Sequence, residues 1–145
     1  MSLEIAWVEI VENLLQIGIA FVLALPVAWD REHSARSAGL RTFPLVSVAA
    51  CGYMLTGLQV LTTTDAESRV IYGIITGMGF IGGGAIVKQS GSVSGTVTAA
   101  SLWNTGAIGV AVAFHRYEIA IVLSLINFLI LTLVKQFKAE ETPEN

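Results

Sequence analysis

Charged side chains crowd together in one short stretch of this chain, Trp29-Asp-Arg-Glu-His-Ser-Ala-Arg-Ser-Ala-Gly-Leu-Arg-Thr-Phe-Pro44, and the chemistry open to them is electrostatic. Asp30 and Glu32 offer the carboxylate oxygens that a hard cation prefers. With Arg31 and Arg41 the same two acids could equally form a plain interfacial charge cluster, and both readings stay open. His33 has no second histidine or cysteine nearby, so a surface role is expected rather than metal ligation. A second polar set, Glu9, Glu12, Asn13 and Gln16, falls at i, i+3, i+4 and i+7 and shares one helix face. Glu9 reads as a solvated outer end, whereas Glu12 and Gln16 fit a polar vestibule or subunit contact equally well. Trp103 and Asn104 sit deep in an apolar run. The Asn104 amide must find partners there, preferably as glue between helices worth roughly 1 kcal/mol, otherwise as the lining of a site. No Ser/His/Asp set, HExxH or nucleotide motif appears, so an enzyme is not expected. The lone cysteine, Cys51, lies inside an apolar run, leaving no disulfide framework or zinc site within one chain, and reads as a small buried residue.

The elements that must position these groups are membrane helices. The chain has 145 residues, enough for one domain, and only 13% of them are charged, about half of what a soluble protein carries. The charges fall between apolar runs at 14–29, 43–61, 70–87, 97–114 and 117–134, most of them near the ~20 residues that cross a bilayer. A soluble helical core would show polar stripes at helical spacing, and these runs show almost none. The expected fold is an all-α integral membrane bundle of five transmembrane helices, at about 5–29, 43–62, 68–87, 97–114 and 117–135. Residues 1–136 form the membrane domain and 137–145 a cytoplasmic tail. Six basic residues (Arg31, Arg36, Arg41, Lys88, Lys135, Lys138) fall on one side and two (Arg69, Arg116) on the other, which puts the N-terminus outside and the C-terminus in the cytoplasm. No Lys or Arg precedes Arg31, so the first run is expected to be a mature helix and not a cleavable leader, with Ser2 able to cap it. The net charge of −3 and a pI near 5.3 argue against nucleic acid as a partner.

The third run is the most unusual. Gly73, Gly77, Gly79, Gly82, Gly83 and Gly84 interrupt an uncharged stretch from Val70 to Val87. In water each interior glycine would cost about 1 kcal/mol relative to alanine. In a bilayer the segment stays helical and lets neighbouring backbones come close, which places this helix in the middle of the bundle. Asp65 is a candidate N-cap for it, and Lys88–Thr96 after it lacks P-loop chemistry and reads as a flexible connection. In the fourth run Ser101, Thr105, Gly109 and Ala113 form a small-residue ridge that the glycines could meet. The fifth, rich in Ile and Leu with Ser124 and Asn127 as its interior polar residues, reads as peripheral.

Taken together, Asp30-Arg-Glu, Ala38-Gly-Leu-Arg-Thr42, Gly77-Met-Gly-Phe-Ile-Gly-Gly-Gly-Ala-Ile86, Thr98-Ala-Ala-Ser-Leu-Trp103 and Ala107-Ile-Gly109 resemble the membrane domain of the MgtC/SapB family, over about Leu14 to Val134. The resemblance implies a five-helix, N-out and C-in domain in the bacterial inner membrane. It also implies a part in adaptation to low magnesium and, in intracellular pathogens, in survival inside host cells. It further implies possible contact with another membrane protein such as the F-type ATP synthase. The family commonly has Glu at the place of Asp30 and glycine at that of Pro26, and its early second-helix cysteine aligns with Ser47. A cytoplasmic C-terminal domain, present in some members, is expected to be missing.

Two functions of different class follow. One is a regulatory protein, a homo-oligomer (dimer favoured) among membrane lipids, acting on ion or proton handling through membrane partners. Its test is loss of partner binding on helix-face substitutions such as Gly109→Leu. The alternative is a small oligomeric cation (Mg2+) transporter or channel, with Asp30, Glu32 and Arg41 at the inner mouth and Asn104 in the path. No cofactor is expected, and Mg2+ enters by resemblance alone.

Overall fold

The computed structural model of the chain describes residues 6–34, 38–89 and 91–140, with side chains as far as Leu133. Five helices follow in order: α1 (Trp7–Ser34), α2 (Thr42–Val60), α3 (Thr64–Gly84), α4 (Thr96–Ala113) and α5 (Tyr117–Glu140). A small hairpin of β1 (Val87–Gln89) and β2 (Ser92–Ser94) lies between α3 and α4. Helices α1, α2 and α4 are long and apolar enough to cross a membrane, and the described side chains of α5, Tyr117–Leu133, form a shorter apolar stretch. The first turns of α3 carry Asp65, Glu67 and Arg69.

The middle of the bundle is α4. It packs against α1, α2, α3 and α5, and it can do so because small residues occupy almost every side of it. Ser101, Thr105, Gly109 and Ala113 are buried, Gly109 against α2, Ala113 bonded by Gln16 of α1 and Ser101 bonded to Asn127 of α5, and Gly106 lies under the Met78 side chain of α3. A Cβ at Gly109 would strike the carbonyl oxygen of Ser47 and lie 2.9 Å from the Cys51 nitrogen, so α2 and α4 touch backbone to backbone. Two other helices turn single small-residue stripes inward. On α1 these are Gln16, Ala20, Ala24, Val27, Ala28 and Arg31; on α5 they are Ala120, Ser124, Asn127 and Leu131. The outward faces of both are Leu-, Ile- and Val-rich, the pattern of helices that look into lipid.

The glycine-rich helix α3 lies at the flank instead, packed on α4 and more lightly on α2. Only Ile74, Met78 and Gly82 are buried in it. Gly82 does meet α4, with an added Cβ 3.2 Å from the Ala99 carbonyl oxygen, but at Gly73, Gly77, Gly79, Gly83 and Gly84 a Cβ would meet nothing within 4 Å. Bareness alone therefore does not make a helix central. Small residues close an interface only where a neighbour stands opposite them, and on α3 the large side chains Tyr72 and Phe80 are exposed on the open side as well. On the α4 ridge Gly109 meets α2, Ala113 meets Gln16 of α1 and Ser101 meets α5, and not the glycines of α3 expected there.

Three local features also differ from expectation. Helix α1 runs on to Ser34, so Asp30, Arg31, Glu32 and His33 belong to its last turns and not to a loop. Thr63, whose side chain accepts from the Ala66 amide at 3.2 Å, caps α3, while Asp65 holds Arg69 one turn on at 2.9 Å. The connection after α3 is a paired hairpin, in register Val87 with Ser94 and Gln89 with Ser92. Gly95 then turns the chain into α4 at φ +84, where a side chain would be strained and its Cβ would collide with the Ala85 carbonyl oxygen. Ser2, Arg36 and residues 141–145 lie outside the described residues.

Candidate functional site

At the C-terminal end of α1, Arg31 folds back on its neighbour: Nε and Nη2 both donate to Asp30 Oδ2, at 3.1 and 2.6 Å. Adjacent helix positions do not normally face each other, so the pair forms by curling the long arginine side chain, and both side chains end about 90% buried, at 10% and 11% exposed. Glu32 takes a different job. Its Oε2 accepts from the Leu40 amide at 2.9 Å and closes the loop into α2; a Cβ at Gly39 would run into that carboxylate. Thr42 and Phe43 then donate to the Gly39 carbonyl as α2 begins. His33 donates from Nδ1 to the Trp29 carbonyl oxygen at 2.8 Å, its ring tilted on that of Trp29 with centroids 5.0 Å apart. Arg41 is exposed at the N-cap position of α2 and takes no part in the Asp30–Arg31 pair.

These residues do not make a resident Mg2+ site. Magnesium asks for near-octahedral oxygen ligation, whereas the Asp30 carboxylate is committed to a guanidinium and that of Glu32 to a backbone amide. No three His, Cys, Asp or Glu side chains converge among the described residues.

The second polar region runs through the bundle between helices. Gln16 donates from Nε2 to the carbonyl oxygens of Val112 and Ala113, at 3.1 and 3.3 Å, adding a second donor to the Val112 carbonyl, which the His115 amide already meets, and pairing that of Ala113 at the end of α4. Ser47 Oγ donates to the Ala20 carbonyl at 2.8 Å and Ser124 Oγ to that of Leu23 at 2.6 Å. Ser101 Oγ donates to Asn127 Oδ1 at 3.1 Å, Thr105 to the Ser101 carbonyl at 2.8 Å, and Asn104 Nδ2 to the Leu123 carbonyl at 3.2 Å. Asn104 is thus bonded across the α4–α5 seam, the glue reading of the two held open for it. Glu12 is exposed on α1, one turn before Gln16. Trp103, next to Asn104, is 53% exposed and lines clefts on α4.

Sequence reasoning noted Asn127 as an interior polar residue but gave it no role. It is 8% exposed, and its Nδ2 has no hydrogen-bond partner among the described residues, an orphan donor at bundle depth. The signal available was its spacing: Ala120, Ser124, Asn127 and Leu131 fall at i, i+4, i+7 and i+11, a polar stripe on an otherwise apolar helix. Gln16→Leu is expected to lower stability by about 1 kcal/mol, because it leaves the Ala113 carbonyl without this donor while that of Val112 keeps its bond from the His115 amide; denaturant titration of the purified protein in detergent reads it.

Comparison with known proteins supplies the remaining findings. The family model described as MgtC family matches residues 17–140. An uncharacterized protein of Synechocystis, slr0014, is 39% identical over 99 residues, 68% of this chain and 42% of that protein. The protein named MgtC from Salmonella typhimurium is 32% identical over 113 residues, 78% of this chain and 48% of that protein. A putative magnesium transporter of Escherichia coli K12, YhiD, is 29% identical over 132 residues, 86% of this chain and 61% of that protein. The chain spans about half the length of the curated relatives it matches. No solved structure matches it.

Proposed function

The chain belongs to the MgtC family, and from that premise we propose that it is a magnesium-linked regulatory protein of the bacterial inner membrane. It works through contacts with membrane partners rather than by carrying an ion. In this reading all five helices span, with the N-terminus outside and the C-terminus in the cytoplasm, and the protein functions as a homo-oligomer, with a dimer favoured. The F-type ATP synthase is a further membrane partner to test, and nucleic acid is not a partner.

One observation carries the reading. Helix α3 keeps five glycines whose outward side is open, with room for a Cβ at each of Gly73, Gly77, Gly79, Gly83 and Gly84. Inside a bilayer such a face is useful chiefly for the close approach of another backbone. The hydrogen bonds of Gln16, Ser47, Ser101, Asn104 and Ser124 point the same way, since each is spent on holding helices together. Gly73→Leu/Gly77→Leu is expected to leave stability within about 1 kcal/mol, both positions being open. It should also weaken chemical cross-linking between copies, or capture of the ATP synthase, at least about tenfold, the equivalent of ~1.4 kcal/mol. Unchanged association in the double variant would sink the regulatory reading.

The second reading, an oligomeric Mg2+ transporter or channel, is favoured by the orphan Asn127 amide within the polar seam. Magnesium and proton flux in liposomes, wild type beside Asp30→Asn, Asn104→Leu and Asn127→Leu, separates the two. Flux that these substitutions abolish in folded protein would establish transport.

A further inference from the structure

Helices α3 and α5 flank α4 without closing over it, and between them lies a cleft of about 450 Å3. Its walls are Ile74 and Met78 of α3, Trp103, Ala107 and Val110 of α4, and Leu123 of α5; the single charged residue lining it is Arg116, in the α4–α5 turn. That turn is built to hold Arg116 in place. His115 takes the left-handed conformation at φ +57, its amide donating to the Val112 carbonyl at 2.9 Å, while the Arg116 amide donates to that of Ala111 at 2.9 Å. This is the paired-bond helix stop in which the second residue past the helix is locked. The Arg116 carbonyl in turn accepts from Ile119 and Ala120 as α5 begins, so its backbone is fixed from both sides.

We infer that the cleft is a binding site for one anionic phospholipid, with an acyl chain lying along α4 from Phe114 to Trp103 and the headgroup phosphate on Arg116. This inference rests on the bundle lying in a bilayer, and not on either reading of function. An acyl chain suits the walls, which are apolar from Trp103 to Phe114, a length of ~16 Å along the helix, with Arg116 at one end. The charge selects an anionic head. Arg116 meets Glu118 through a single contact of 3.6 Å, with both side chains about two-thirds exposed, which leaves most of the guanidinium fork free for phosphate oxygens.

The chain contains three tryptophans, Trp7, Trp29 and Trp103, so Trp7→Phe/Trp29→Phe leaves Trp103 as the sole reporter inside the cleft. Purified protein in liposomes would receive phosphatidylglycerol or phosphatidylcholine brominated at mid-chain, each at the same low mole fraction, and Trp103 quenching would be read. The glycerol lipid is expected to quench at about fivefold lower mole fraction, the advantage of one basic side chain at an anionic surface. Arg116→Gln should bring the two lipids level while quenching by the choline lipid persists, which shows the cleft intact. Glu118→Gln should widen the preference by freeing the guanidinium. Equal quenching by the two lipids in the parent protein, or a preference that survives Arg116→Gln, overturns the inference. So does protection of Trp103 from both, the result expected if a second copy or another polypeptide helix covers the cleft.

Discussion

Gly109→Leu is expected to destabilise the fold by about 3 kcal/mol or more. The position lies where α2 and α4 touch backbone to backbone: one added carbon would strike the Ser47 carbonyl oxygen and come within 2.9 Å of the Cys51 nitrogen and 3.0 Å of the Ala50 Cβ. Backbone atoms cannot rotate aside as a side-chain tip can, so relief requires prying the two helices apart along a seam that also contains Thr105, Met54 and Phe43. Overpacking a close-packed interior costs about 1–3 kcal/mol and sometimes more. Here the upper end applies, a large share of the ~5–15 kcal/mol that holds a domain together. Even Gly109→Ala should lower the unfolding midpoint in detergent measurably, whereas Gly79→Leu, which adds a larger side chain into open space, should not. Wild-type-like stability of Gly109→Leu would mean that α2 and α4 are not in contact as described. The same geometry removes Gly109→Leu as a probe of partner binding, since loss of a partner on unfolding says nothing about an interface.

Breaking the pair at the C-terminal end of α1 has the second largest expected effect. Arg31→Met deletes two charge-assisted hydrogen bonds and leaves the Asp30 carboxylate, 89% buried, without its guanidinium. Removing one member of a buried ion pair costs about 3–5 kcal/mol, whereas replacing both members can be close to neutral. The expected outcome is therefore non-additive. Arg31→Met alone loses about 3 kcal/mol, and Asp30→Asn/Arg31→Met recovers most of it in the same denaturant titration. Arg31→Lys should rescue poorly, because an ammonium has no planar fork to place two donors on one carboxylate. A double variant as unstable as Arg31→Met would show that the pair is not the source of the loss. Flux measured on the same variants then separates a structural role for Asp30 from one in an ion path.

Much of the architecture was legible because lipid simplifies the rules. With no water to satisfy backbone groups, an apolar run of bilayer length has to be helical, and the five runs correspond to five helices. The bonding of Asn104 across the α4–α5 seam follows from the same constraint, as does the peripheral, Leu- and Ile-rich outer face of α5. The family resemblance carried by Asp30-Arg-Glu, the glycine run and Thr98–Gly109 was equally plain, since motif order and spacing are properties of the chain itself.

The candidate site was legible in its membership more than in its roles. Asp30, Arg31, Glu32 and Arg41 stood out as charges at the end of an apolar run, yet nothing in their order says that Arg31 curls onto Asp30, that Glu32 closes the turn at Leu40, or that Arg41 stands apart. Those outcomes depend on α1 running as far as Ser34, which places the acids on a helix instead of in a loop. Gln16 was singled out for its face, but its task of satisfying the end of α4 joins residues 96 positions apart in the chain.

Sequence by itself determined that this chain builds apolar helices, roughly where they begin and end, which family it belongs to, and which residues are small or polar enough to matter in a bilayer. The tertiary structure decided which small residues meet a neighbour. Glycines at 73, 77, 79, 83 and 84 look as suited to close packing as Gly109, but it is Gly57, Gly82, Gly106 and Gly109 that have another helix pressed against them. The physical reason is that an absent side chain permits close approach without compelling it. Helix association in lipid is won by matched surfaces and interhelical hydrogen bonds, and α4 alone is matched on nearly every side. That match puts α4 at the centre, leaves the glycine face of α3 open, and holds α3 and α5 apart over the cleft at Trp103.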